Sequence, residues 1–126
     1  MKVPTEFQEG VIVFQWAQFN PIAKKYLFAI PNGGSRDPRE AKNLKRQGVR
    51  KGVSDFFLPY PSKGKYGLWL ELKRRKNARA TKEQVDWLRE MAELGYEAKL
   101  VYGADEAIKA IEEYLRIGQN SSRETS

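Results

Sequence analysis

Residues 52–73 run G-V-S-D-F-F-L-P-Y, then P-S-K-G-K-Y-G, then L-W-L-E-L-K. The first and last parts read as strands, and the Pro/Gly/Ser-rich interval between them reads as the turn of a hairpin. Side chains alternate along a strand, so Leu68, Leu70 and Leu72 share one face, expected to meet the core, while Trp69, Glu71 and Lys73 share the other, expected to face outward. On the preceding strand Val53, Asp55 and Phe57 alternate with Ser54, Phe56 and Leu58. Such a hairpin draws Asp55, Glu71 and Lys73 together. Two carboxylates on neighbouring strands can hold a hard divalent cation, and an adjacent ammonium can polarise a water or steady a phosphate. That set of groups suits metal-assisted phosphodiester hydrolysis.

Composition narrows the alternatives. A chain of 126 residues, 40% hydrophobic, suits one domain with one core, expected over residues 1–118, and the polar run Q-N-S-S-R-E-T-S at 119–126 reads as a disordered tail. The chain has no cysteine and no histidine. Cys/His zinc sites, thiol nucleophiles and imidazole bases are therefore excluded, and any catalysis must rest on carboxylates, lysine and a metal. No apolar run approaches the ~18–20 residues that span a bilayer, and the first residues lack a signal-peptide core, so a cytoplasmic protein is expected. The formal charge is +7. Residues 36–82 carry fifteen Lys/Arg against four Asp/Glu, whereas residues 83–126 carry five against ten. A basic excess placed around the candidate site attracts polyanions, of which nucleic acid is the first expectation, although such a charge also serves solubility.

Along the chain, Thr5 and Gln8 form a capping-box pattern for a helix over residues 5–18 that Asn20-Pro21 ends. Leu27–Ile30 is a short strand, followed by the loop P-N-G-G-S at 31–35. Ser35 or Asp37 caps a basic helix that starts at Pro38 and stops at Gly48. After the hairpin, Thr81 and Gln84 form a second capping box for a helix over 82–94, expected to bury Val85, Leu88 and Met91 with Trp87 alongside. A strand over 96–102, with Ala98, Leu100 and Tyr102 on one side, and a helix over 104–117, with Ala107, Ile108, Ile111 and Leu115 on one face, complete the chain. The order α-β-α-β-β-α-β-α predicts an α/β fold with a mixed sheet flanked by helices.

Further candidates surround the hairpin. Glu6 is the first choice for a third carboxylate and Glu9 the second; one helical turn separates them, so only one reaches the site, and either also suits a first turn that complements the helix dipole. Gln84 either points at the site to bond Lys73 or the attacking water, or serves only as a cap. Asn32 and Ser35, with Arg36 next to them, offer phosphate donors on a loop that is otherwise a tight turn. Lys45, Arg46, Arg50 and Lys51 before the hairpin, and Arg74, Arg75, Lys76 and Arg79 after it, are candidates for tracking a phosphate backbone.

Taken together, I-P-N-G-G-S-R, A-K-N-L-K-R-Q-G-V-R-K-G-V-S-D-F-F-L, L-W-L-E-L-K and T-K-E-Q-V-D-W-L closely resemble the VRR-NUC domain, a branch of the PD-(D/E)xK nuclease superfamily, over Thr5 to Leu115. The resemblance implies a restriction-endonuclease-like core, dependence on Mg²⁺ or Mn²⁺, and structure-selective cleavage of branched DNA such as flaps, forks or four-way junctions in recombination and repair. It carries the family's helix glutamate onto Glu6, its aspartate onto Asp55, its E-x-K onto Glu71 and Lys73 and its glutamine onto Gln84, with Asp55, Glu71, the Leu72 carbonyl and Glu6 as metal ligands. Ser54 stands where the superfamily has proline, and the literal Val-Arg-Arg triplet is absent. Analogy with junction resolvases implies a homodimer. A non-catalytic DNA-binding module on the same fold is the alternative, and RNA as substrate stays open.

Overall fold

The structure, a computed structural model, describes residues 2–31, 37–75 and 77–116. Its elements are α1 (Glu6–Ala17), α2 (Pro21–Tyr26), β1 (Phe28–Ala29), α3 (Pro38–Arg46), β2 (Phe56–Leu58), β3 (Leu68–Lys73), α4 (Lys82–Glu93), β4 (Glu97–Tyr102) and α5 (Gly103–Leu115). Local chemistry sets most of these boundaries. Both arms of the capping box close at α1, where Thr5 Oγ1 accepts from Gln8 N and Gln8 Oε1 accepts from Thr5 N, and Thr81 and Gln84 repeat the arrangement at α4. Asp37 caps α3 by accepting from Arg39 N. Ser35, the other cap candidate, and the tail lie outside the described residues. The helix α2 is not expected from the sequence, in which Asn20-Pro21 reads as a stop. Asn20 Oδ1 accepts from Ile22 N and Ala23 N with Pro21 in the first turn, so the same dipeptide starts a new helix.

The sheet has strand order β1-β2-β3-β4, with β1, β2 and β3 antiparallel and β4 parallel to β3. The expected mixed sheet with flanking helices is present. Because β3 is central, both of its faces are covered. Leu68, Leu70 and Leu72 join Val13, Ala17, Phe56, Ala107 and Ile111 in a core beneath α1 and α5. Trp69 stacks on Phe57 and meets Trp87 of α4 edge-on at 5.3 Å between ring centroids, which seals the opposite face. The expectation that Glu71 and Lys73 face outward is therefore corrected: they are 0% and 7% exposed.

Three packing faces differ from those read off periodicity. On α4, Gln84, Trp87, Leu88 and Met91 are half-buried at helical spacing, none is fully buried, and Val85 is 49% exposed. Contact with the aromatic cluster through Trp87 turns the helix so that Val85 points away. On β4 the buried residue is Val101, whereas Ala98 and Leu100 are half-buried and Tyr102 is exposed, because the strand lies at the sheet edge. The buried face of α5 carries Ala104, Ala107, Ile111 and Tyr114, with Ile108 and Leu115 only half-buried. That phase follows from the join: the helix begins at Gly103, directly after Tyr102, with no loop between strand and helix.

Candidate active site

The site forms where β2 stops and β3 continues. The β2–β3 ladder ends with Phe56 opposite Leu70. One residue earlier, Asp55 takes over with its side chain, Oδ2 accepting from Leu72 N at 2.7 Å, while its own carbonyl accepts from Ile30 N at 2.8 Å. The backbone thus holds the Asp55 carboxylate at the end of β3 from two sides. The N–H and C=O of a strand residue point to the same side, so the Leu72 carbonyl opens toward this end of the sheet as well.

Glu71 follows from that register. Its carboxylate is fully buried, and neither oxygen meets a hydrogen-bond donor among the described residues. Burial above all, then the negative charge of Asp55 and a hydrogen bond with its carboxyl group, push the Glu71 pKa up to about 8; Lys73 opposes the shift and Glu6 adds to it. That bond exists only while a proton lies between the two groups, since ionised carboxylates are both acceptors. Lys73 Nζ stands 3.7 Å from Glu71 Oε2 and 3.9 Å from Glu6 Oε2, as an ion pair rather than a hydrogen bond. A buried carboxylate without donors needs a proton or a cation to offset its desolvation. The hard oxygen donors of Asp55 and Glu71 fit a divalent metal of the Mg²⁺ or Mn²⁺ kind. No cluster of three or more acidic side chains suited to a metal occurs among the described residues. Glu6 contacts the site through Lys73.

Glu9 has a different task. It is fully buried and accepts from Arg75 Nε at 3.1 Å, Arg75 Nη2 at 3.3 Å and Ala104 N at 3.3 Å, tying α1 to the residues after β3 and to the start of α5. The Glu9 carboxylate raises the already high pKa of Arg75. Gly103 fits here for lack of a side chain: φ is +84°, and a Cβ would stand 3.0 Å from Arg75 Cγ and 3.1 Å from Glu9 Oε2. Sequence reasoning missed this network. The one available signal was a glycine placed directly between a strand and a helix.

The remaining candidates divide. Gln84 serves as a cap, its Oε1 accepting from Thr81 N, and it lines a cleft of about 400 Å³ with Lys45, Arg50 and Lys51 between α3 and α4. Arg46, Arg74 and Arg79 are exposed, as are Lys45, Arg50 and Lys51, so their charge is available to a polyanion. Arg75, expected to track phosphate, is engaged by Glu9. Asn32, Ser35, Arg36 and Lys76 lie outside the described residues.

Comparison with known proteins agrees with this architecture. The model of the VRR-NUC domain family matches residues 13–105, a span that holds Asp55, Glu71, Lys73 and Gln84 but begins after Glu6. Among solved structures the chain is similar to a VRR_NUC domain protein, with a TM-score of 0.81 at 27% identity over 93% of each chain. No curated protein matches.

Proposed function

Because this chain belongs to the VRR-NUC domain family, a nuclease-type domain, we propose that it is a Mg²⁺- or Mn²⁺-dependent endodeoxyribonuclease acting on branched DNA such as flaps, forks and four-way junctions, in recombination, repair or phage DNA processing. The carrying observation is the buried Glu71 carboxylate, beside Asp55 and without a donor among the described residues. Asp55, Glu71 and the Leu72 carbonyl would hold the cation, with Glu6 at the rim. When bound, the cation supplies Lewis-acid stabilisation of the phosphate and lowers the pKa of water. Lys73, fixed between Glu71 and Glu6, orients the attacking water or neutralises charge on the phosphate. The exposed lysines and arginines of α3 and the flanking loops hold the DNA backbone.

Plasmid nicking and a panel of flaps, forks, four-way junctions and plain duplex, with Mg²⁺ or Mn²⁺, test the reading against Asp55→Ala and Lys73→Ala. Either variant is expected to lose about 100-fold or more, and equal rates in all three proteins would overturn the site. Calorimetric titration with Mn²⁺ separates this reading from a non-catalytic DNA-binding module, for which Asp55 and Glu71 need bind no metal. A single small domain has limited surface for gripping a junction, so a homodimer is part of the proposal. Full activity from a protein that light scattering reports as a monomer would contradict that part. Among the described residues no helix is long and apolar enough to cross a membrane.

A further inference from the structure

A cleft of about 350 Å³ runs from the site along α1, with Glu6 and Asp55 at its polar end and Phe7, Val11 and Phe14 of α1 facing Phe56 along its apolar length. Phe7, Val11 and Phe14 follow the spacing of one helix face, and Phe7 and Phe14 are 79% and 44% exposed. Neither ring stacks on another among the described residues, whereas the aromatics on the far face of the sheet form a closed cluster. Gly10 lies on the same wall. A Cβ there would meet Phe56 and Leu72 at ordinary contact distances of 3.8 and 3.9 Å, so alanine fits; the chain keeps instead the residue that weakens the helix and leaves the wall shallow.

We propose that this cleft receives an unpaired nucleobase from the nucleotide next to the scissile phosphate, stacked against Phe7 and Phe14. The inference rests on the nuclease reading and names the feature of the substrate that the site selects. A phosphate drawn to Asp55, Glu71 and Leu72 brings its own sugar and base to the mouth of the cleft, because cleft and site share Asp55, Glu6 and Leu72. A base inside an intact duplex is stacked and paired and cannot enter. A base in a flap, a fork arm or a junction centre can, and aromatic side chains hold such bases with little regard to sequence. A second copy of the chain suits the cleft less well. A stable dimer needs roughly 800 Å² per partner, and a copy seated here would cover Glu6 and Asp55.

The test measures binding in EDTA, so that it does not depend on turnover, by fluorescence anisotropy on three probes: a fork with normal bases in its unpaired arms, the same fork with abasic residues in those arms, and a plain duplex. The wild-type protein is expected to bind the base-bearing fork about tenfold more tightly than the abasic one, the size of one base–aromatic stacking contact. The Phe7→Ala/Phe14→Ala double variant should bind both forks like the abasic probe and the duplex as before, while Phe14→Trp keeps the preference. A double variant that retains the full preference refutes the proposal. So does a loss of preference accompanied by a halving of mass in light scattering, which assigns the face to a second copy. Preference intact in a protein that cleaves nothing overturns the nuclease reading and leaves the base site standing.

Discussion

Replacing Glu71 by Gln removes one charge from the buried pair while keeping its shape. In the metal-free protein the Glu71 pKa stands at about 8 against an ordinary value of 4.5. The folded state therefore holds a proton that the unfolded chain releases, and its stability falls as pH rises from the ordinary carboxylate range through about pH 8. At 1.36 kcal/mol per pH unit that gap is on the order of 5 kcal/mol. Glu71→Gln carries no such proton, so its stability should stay nearly flat across the window. Urea unfolding in EDTA at about pH 5 and about pH 8 should find the two proteins similar at the lower pH and the variant more stable at the higher. Adding Mn²⁺ at the higher pH should restore the wild type and leave the variant unmoved, with proton release that increases metal affinity up to about pH 8. A wild type that gains stability over the variant as pH rises in EDTA would refute the argument that burial without a donor governs Glu71.

Other substitutions probe the frame around the site. Glu9→Ala leaves Arg75 and the Ala104 N–H without their buried acceptor, and urea unfolding should show a loss of about 1–3 kcal/mol, the cost of leaving the buried Ala104 N–H unpaired. Gly103→Ala sets a Cβ against Arg75 and Glu9 at a φ of +84°, for an expected cost of about 1–3 kcal/mol read from the unfolding midpoint. Gly10→Ala should raise the thermal midpoint, since its Cβ finds ordinary contacts with Phe56 and Leu72 and the helix gains about 0.5–1 kcal/mol.

Features set by neighbours a few residues away were legible in the sequence: the caps at Thr5 and Thr81, the Leu68/Leu70/Leu72 stripe, and the pairing of Asp55 with the E-x-K strand. The phase of α4 and α5 was not, because half-apolar helices turn to suit the surface they meet, here Trp69 for one and the abrupt start at Gly103 for the other. The engagement of Glu9 likewise needed Arg75 and Ala104, which lie far along the chain.

The sequence by itself determined which groups are available for chemistry, carboxylates and a lysine without histidine or cysteine, and the alternation that places Glu71 and Lys73 opposite three leucines. Only the tertiary structure decided that this second face is closed. Parallel pairing with β4 makes β3 central and α4 covers it through Trp87, so the same Glu-x-Lys that reads as a surface ion pair becomes a buried carboxylate lacking a donor among the described residues. Burial is a long-range property, set by which strand arrives on the far side, and local periodicity does not contain it.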